Sequence, residues 1–113
     1  MQAAKYVPPP KFDIVVKPDG ERVLVVPRGE LDLGSISRLE SEIGVVRARR
    51  PAAVVLDLRE LTFMDSTGLR LLVQLAASAD TDGYAFSIID ADGPVRRLLV
   101  LTQLRDRFEH AEP

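Results

Sequence analysis

Cysteine and tryptophan are both absent, and histidine occurs once, as His110. Without cysteine there is no disulfide framework and no thiolate metal site, a composition that suits a reducing compartment. The single histidine falls in a polar stretch close to the C-terminus, so a serine–histidine–aspartate triad has no well-placed base. The seven glycines are scattered singly, with neither a G-x-G-x-x-G run nor a Walker A lysine, which removes the usual phosphate-cradling loops. No window approaches the roughly 18 apolar residues of a membrane span, and the first residues contain no signal-peptide-like apolar stretch. A cytoplasmic chain without a membrane partner is expected.

Fifteen basic residues stand against seventeen acidic ones, for a formal net charge of −2, so general attraction to nucleic acid or anionic lipid is not expected. Arg96-Arg97 and the Arg47 to Arg50 group could touch phosphates, but six aromatic residues are too few to supply both a core and a base-stacking surface. Asp80 with Asp82, and Asp90 with Asp92, flank turns, where aspartate commonly bonds its own backbone, and they read as turn residues and not as metal ligands. With 113 residues, 46% of them hydrophobic and 28% charged, the chain has enough apolar material for one core and too little length for two.

Val7-Pro8-Pro9-Pro10 cannot be helical, and residues 1–11 read as a Pro-rich tail. Phe12, Ile14 and Val16 alternate, Pro18-Asp19-Gly20 supplies a turn and Val23 to Val26 resumes an apolar run, which makes a β-hairpin. Ile36, Leu39, Ile43 and Val46 line one face of a helix that Pro51 stops; Ser37 and Glu40 have the spacing of a capping box, although Asp32 or Ser35 could start the helix earlier. Val54 to Leu58 is a buried strand. A loop over Leu61 to Gly68 then leads into a helix with Leu69, Leu72, Val73 and Ala76 at helical spacing. Tyr84 to Ile89 forms another strand, and Pro94 opens a last amphipathic helix over Val95, Leu98, Leu99 and Thr102. Strand and helix alternate after the hairpin, so the fold class is α/β with right-handed βαβ crossovers.

Asp65-Ser66-Thr67-Gly68 places hydroxyls where a loop enters a helix. Asp65 or Ser66 can cap a free first-turn N–H, worth about 1 kcal/mol. The same position also tolerates a phosphate, because backbone donors and the positive helix pole face it. Gly68 suits either a turn that a Cβ would strain or the close approach of a partner, and Met64 and Leu69 read as core or as exposed anchors, with core favoured.

Leu56-Asp57-Leu58 followed by Phe63-Met64-Asp65-Ser66-Thr67-Gly68-Leu69 resembles the signature of the STAS domain in anti-sigma-factor antagonists. Gly29-Glu30-Leu31-Asp32 is similar to that family's first conserved loop, and Val95-Arg96-Arg97-Leu98-Leu99 through Phe108 to its last helical segment. The resemblance implies a single STAS domain over residues 12–109, a small mixed β-sheet of N-terminal hairpin plus parallel βαβ strands flanked by helices, with a C-terminal tail at 110–113. It implies a binding module and not an enzyme, with no cofactor and no metal. The unphosphorylated form would bind an anti-sigma factor with GHKL-type serine kinase activity and free the sigma factor. Phosphorylation of Ser66, with Thr67 as second acceptor, would end binding, and a PP2C-type phosphatase would reset it. Asp32, Asp65, Ser66, Thr67, Gly68 and Leu69 form the implied partner-binding set. The alternative within the family is a regulatory subunit of a lipid or anion transport complex.

Overall fold

The computed structural model describes residues 11–113, so the expected Pro-rich tail lies, apart from Lys11, outside the described residues. Strands β1 (Phe12–Asp19) and β2 (Arg22–Leu31) pair antiparallel, with Asp19 opposite Arg22 across the turn anticipated from Pro18-Asp19-Gly20. Helix α1 (Ile36–Ala48) buries Ile36, Leu39, Ile43 and Val46, the periodic residues. Strand β3 (Ala53–Asp57) runs parallel to β2, and β5 (Ala85–Ile89) runs parallel to β3. Helices α2 (Ser66–Asp82) and α3 (Pro94–Leu101) complete the layers, followed by a 3-10 turn at Arg105–Arg107. No helix among the described residues is long and apolar enough to cross a membrane.

Alternation along the strands sends Phe12, Ile14, Val25, Val54, Leu56, Phe86 and Ile88 into one apolar cluster with the buried faces of all three helices. Gly83 ends α2 in the left-handed region at φ 77°, and its N–H donates to the Ala79 carbonyl at 2.9 Å. At the same end of the molecule the Arg47 guanidinium pairs with Asp82, joining α1 to α2.

Three local expectations are corrected. The Ser37–Glu40 capping box does not start α1; the residue before the helix is Ser35, and Ser37 already lies inside it. Ser35 does not cap the helix with its side chain either, because its buried hydroxyl donates to the Glu30 carbonyl at 2.8 Å and accepts the Asp32 N–H at 3.0 Å. Leu61–Met64, expected as loop, is a fourth short strand, β4, parallel to the end of β2. One side of β2 thus serves two strands in succession, β3 along Arg22–Val25 and β4 along Gly29–Leu31. Pro27, fully buried, occupies the interval between those ladders, where a residue without an N–H interrupts neither.

The C-terminal residues expected as a tail are tied down as well. The Ile88 N–H donates to the Glu109 carbonyl and the Ala111 N–H to the Ile88 carbonyl, each at 2.9 Å, so His110 lies in a bridge beside β5. Arg22 of β2 donates to the Glu112 carbonyl at 3.0 Å. Asp90, with a side chain 3% exposed, accepts bonds from Arg96 at 3.2 Å and Arg105 at 3.1 Å, which hold α3 and the 3-10 turn against the end of β5. Burial alone would push the Asp90 carboxyl up, but the two guanidinium groups outweigh it and hold it below the ordinary carboxylate value.

Candidate functional site

The parallel pairing of β2 with β4 sets Leu31 opposite Met64. The next residues in each chain, Asp32 and Asp65, therefore leave two adjacent strand ends, and neighbouring strands lie only about 4.8 Å apart. The Asp65 N–H points back to the Leu31 carbonyl at 3.4 Å. Two sequence motifs some thirty residues apart are joined into one site by this register.

Gly29 makes the register possible. It sits at the irregularity in the β2–β4 ladder with φ 99°, a region that L side chains rarely adopt. A Cβ at this position would collide with the Lys11 carbonyl oxygen. That same oxygen accepts the Glu30 N–H at 2.8 Å, and the Gly29 N–H donates to Glu60 at 3.1 Å. The chain from β1 and the turn before β4 both close on this glycine.

Asp65 is the cap of α2. Its backbone is extended, and its Oδ1 accepts the Thr67 N–H at 2.9 Å. Ser66 occupies the first helical position and is exposed, while Thr67 is half-buried behind it. Among the described residues no hydrogen bond engages the Ser66 hydroxyl, which faces solvent at the positive pole of a 17-residue helix.

The remaining residues of the expected set turn inward. Leu69 is 9% exposed and belongs to the apolar core, as does Met64, so Leu69 offers little surface to a partner. Gly68 is buried too, and a Cβ there would lie 2.6 Å from Met64 Cγ and 3.0 Å from Leu31 Cδ2. Neither a turn conformation nor an approaching partner explains this glycine. It lets the first turn of α2 sit on the paired residues that end β2 and β4.

Asp32 is half-buried and largely used within its own loop. Its Oδ1 accepts the Gly34 N–H at 2.9 Å, and its carbonyl accepts the N–H groups of Ser35 at 3.1 Å and Ile36 at 2.9 Å. With the two Ser35 hydroxyl bonds described above, residues 32–36 form a closed hydrogen-bonded turn. The turn leaves Leu33 79% exposed. Sequence reading passed over Leu33, for which an apolar residue between Asp32 and Gly34 in a polar loop was the available signal; Ser35 was read only as a possible helix start, and nothing local marked its hydroxyl as the tie within this turn.

Asp57, the aspartate of the Leu56-Asp57-Leu58 motif, is structural. Its buried carboxylate receives Arg59 Nε at 2.9 Å, Nη2 at 2.8 Å and the Arg59 N–H at 3.1 Å, closing the turn between β3 and β4. Desolvation pushes this carboxyl up, yet the Arg59 bonds prevail and its pKa lies below the ordinary value. Among the described residues no three His, Cys, Asp or Glu side chains gather in a metal-binding arrangement. The site is thus a solvent-facing surface on which Asp32 and Asp65 flank an unengaged serine hydroxyl, with Leu33 exposed on the neighbouring turn.

The STAS domain family model matches residues 13–112, and the chain belongs to that family. It is 35% identical over 82 residues to the anti-sigma-F factor antagonist RsfB of Mycobacterium tuberculosis, a match that takes in 71% of this chain and 65% of that relative's length. The chain therefore spans just under two thirds of that relative. Among solved structures, an anti-sigma factor antagonist from Mycobacterium paratuberculosis superposes with a TM-score of 0.76 at 29% identity, covering 90% of this chain and 86% of the other. The unphosphorylated form of the anti-sigma factor antagonist SpoIIAA superposes with a TM-score of 0.69 at 19% identity, over 89% and 88% of the two chains, a likeness of fold.

Proposed function

We propose that this protein is an anti-sigma factor antagonist that acts in the cytoplasm by binding, without catalysing a reaction. The unphosphorylated form binds an anti-sigma factor with GHKL-type serine kinase activity and releases the sigma factor. Phosphorylation of Ser66 ends the binding, and a PP2C-type phosphatase restores it. The observation that carries this reading is the exposed Ser66 hydroxyl at the start of α2, directly after a capping Asp65 and beside the Asp32 loop, in a chain of the STAS family.

Charge alone makes such a switch effective. A phosphoserine adds about 1.5 to 2 negative charges to a surface that already holds Asp32 and Asp65. Against a partner carboxylate roughly 6 Å away, a charge of −2 costs about 1.4 kcal/mol at a dielectric of 80 and about 5.5 at 20. That corresponds to about tenfold to ten-thousandfold in affinity. Thr67, half-buried, is the less accessible acceptor.

The test is incubation with each purified GHKL-type anti-sigma kinase of the source organism and ATP, followed by peptide mapping and titration. One phosphate on Ser66 is expected, with Ser66→Ala retaining affinity and Ser66→Asp losing part of it. Phosphate on Thr67 alone refutes the residue assignment, and equal affinity of wild type, Ser66→Ala and Ser66→Asp removes the α2 start from the interface. Copurification with a transporter ATPase in place of a kinase would favour the transport-subunit reading.

A further inference from the structure

We infer that the cavity between the ends of α1 and α2 is a binding site for a small organic carboxylate, with Arg50 and the Tyr84 hydroxyl as its donors. The cavity measures about 540 Å³, the size of an ordinary small-molecule site, and Gly44, Arg47, Arg50, Pro51, Asp82 and Tyr84 line it. It lies at the opposite end of α2 from Ser66, and 17 helical residues put roughly 25 Å between the two. The site is therefore separate from the surface assigned to the antagonist reading and does not depend on it.

Tyr84 marks the cavity. It is 9% exposed, and its hydroxyl is buried without a hydrogen-bond partner among the described residues. A buried hydroxyl is ordinarily paired, because an unpaired one forfeits the bonds it makes with water. The Arg47 guanidinium sits 5.4 Å over the Tyr84 ring and pairs with Asp82, so those two charges answer each other. Arg50 stands exposed at the rim and enters no ion pair among the described residues. The cavity thus keeps one unanswered cation and one unanswered hydroxyl donor. Both suit a carboxylate, since the guanidinium fork takes its two oxygens and the hydroxyl donates to one of them. The Arg47 side chain, 35% exposed, is the group whose rotation admits the ligand to the hydroxyl. Gly44, where an added Cβ would meet nothing within 4 Å, and Pro51 give uncharged walls with room for an apolar body. The negative poles of α1 and α2 oppose an anion here. The Arg50 N–H on the Arg47 carbonyl and the Gly83 N–H on the Ala79 carbonyl occupy part of those poles, and a charge-assisted fork is stronger than the screened remainder. The ligand class is accordingly a monocarboxylate on a compact apolar body, such as an aromatic acid.

The experiment follows backbone amide shifts of the isotope-labelled full chain titrated with benzoate, with benzamide, and with a short acetylated peptide ending in phenylalanine. Wild type, Tyr84→Phe, Arg50→Gln and, as a control on another surface, Arg97→Gln are compared, and each is melted. Benzoate is expected to saturate with a Kd below about 1 mM, with shifts centred on the amides of Gly44, Gly83 and Tyr84 and not on Ser66. Benzamide should bind at least about tenfold more weakly, Tyr84→Phe and Arg50→Gln should each weaken benzoate about five- to tenfold, and Arg97→Gln should stay within about twofold. Because Tyr84→Phe keeps the ring and removes an unpaired hydroxyl, it should melt no lower than wild type, which separates lost affinity from lost fold. Absence of a saturable shift at these amides overturns the inference. Equal affinity for benzamide and benzoate, or unchanged affinity in both Tyr84→Phe and Arg50→Gln, overturns the carboxylate assignment. Binding of the peptide more than about tenfold tighter than benzoate overturns the small-molecule assignment in favour of a chain end as the source of the carboxylate. A melting midpoint of Tyr84→Phe well below wild type would mean that the hydroxyl is bonded within the fold, and overturns the inference as well.

Discussion

The same substitution, glycine to alanine, should change stability in opposite directions at two positions in this fold. Gly44 lies inside α1, is exposed, and a Cβ there meets nothing within 4 Å. Alanine at this position gains helix propensity of about 0.8 to 1 kcal/mol with no steric cost. For a domain near 100 residues each kcal/mol moves the melting midpoint by about 4 to 8 °C, so Gly44→Ala should melt about 3 to 8 °C higher. Gly68 is also helical, in the first turn of α2, and gains at most the same about 1 kcal/mol. Its Cβ, however, must displace Met64 Cγ at 2.6 Å and Leu31 Cδ2 at 3.0 Å, both from side chains in the packed core. Overpacking of this kind costs about 1 to 3 kcal/mol. A steric cost near the middle of that range, about 2 kcal/mol less the gain of about 1, puts Gly68→Ala about 4 to 8 °C below wild type, and the top of the range lowers it further. The gap between the two variants isolates the steric cost, and differential scanning calorimetry of the three proteins side by side measures it. Equal shifts of the same sign for Gly44→Ala and Gly68→Ala would refute the packing role assigned to Gly68.

Gly29→Ala should cost at least about 2 kcal/mol, since it combines positive-φ strain with a backbone clash at Lys11; chemical denaturation checks this, and a loss below about 0.5 kcal/mol would show that β1 can move away. Phosphorylation of Ser66 should leave the far-UV circular dichroism superimposable and the melting midpoint within several degrees, because dipole attraction of about 0.3 to 1 kcal/mol opposes repulsion of similar size from Asp65; a drop above about 15 °C would mean that α2 unfolds. Asp90, with its lowered pKa, stabilises the fold fully above the ordinary carboxylate pKa of about 3.9 and loses that contribution as pH falls through its folded value. Asp90→Asn should accordingly melt well below wild type at pH 7, with the gap narrowing below about pH 4; a gap independent of pH would refute the role of the carboxylate charge.

What the sequence determined by itself is local and periodic. The hairpin turn at Pro18-Asp19-Gly20, the buried face of α1 and the cap at Asp65 were legible because each depends on residues within a few positions of one another, where propensity and spacing act; on α2 only Leu69 and Leu72 of the expected face are buried, Val73 being 44% exposed and the face running instead through Leu71, Leu75 and Ala79. The order of signature residues was legible too, and it pointed to the STAS family before any contact was known. Strand β4 was not, since four residues with Leu61 and Met64 inward carry no alternation, and only the open side of β2 makes them a strand. Ser37 and Glu40 have capping-box spacing, yet the helix starts at Ile36 because Ser35 finds Glu30 and Asp32 as partners across the turn. Gly68 and Leu69 stand within a motif that suggests contact, and burial against Leu31 and Met64 decides otherwise. The return of residues 109–111 to Ile88 depends on the free edge of β5. These decisions share one cause: backbone groups and apolar surface must find partners that are distant in the chain, and only the assembled sheet says which are within reach.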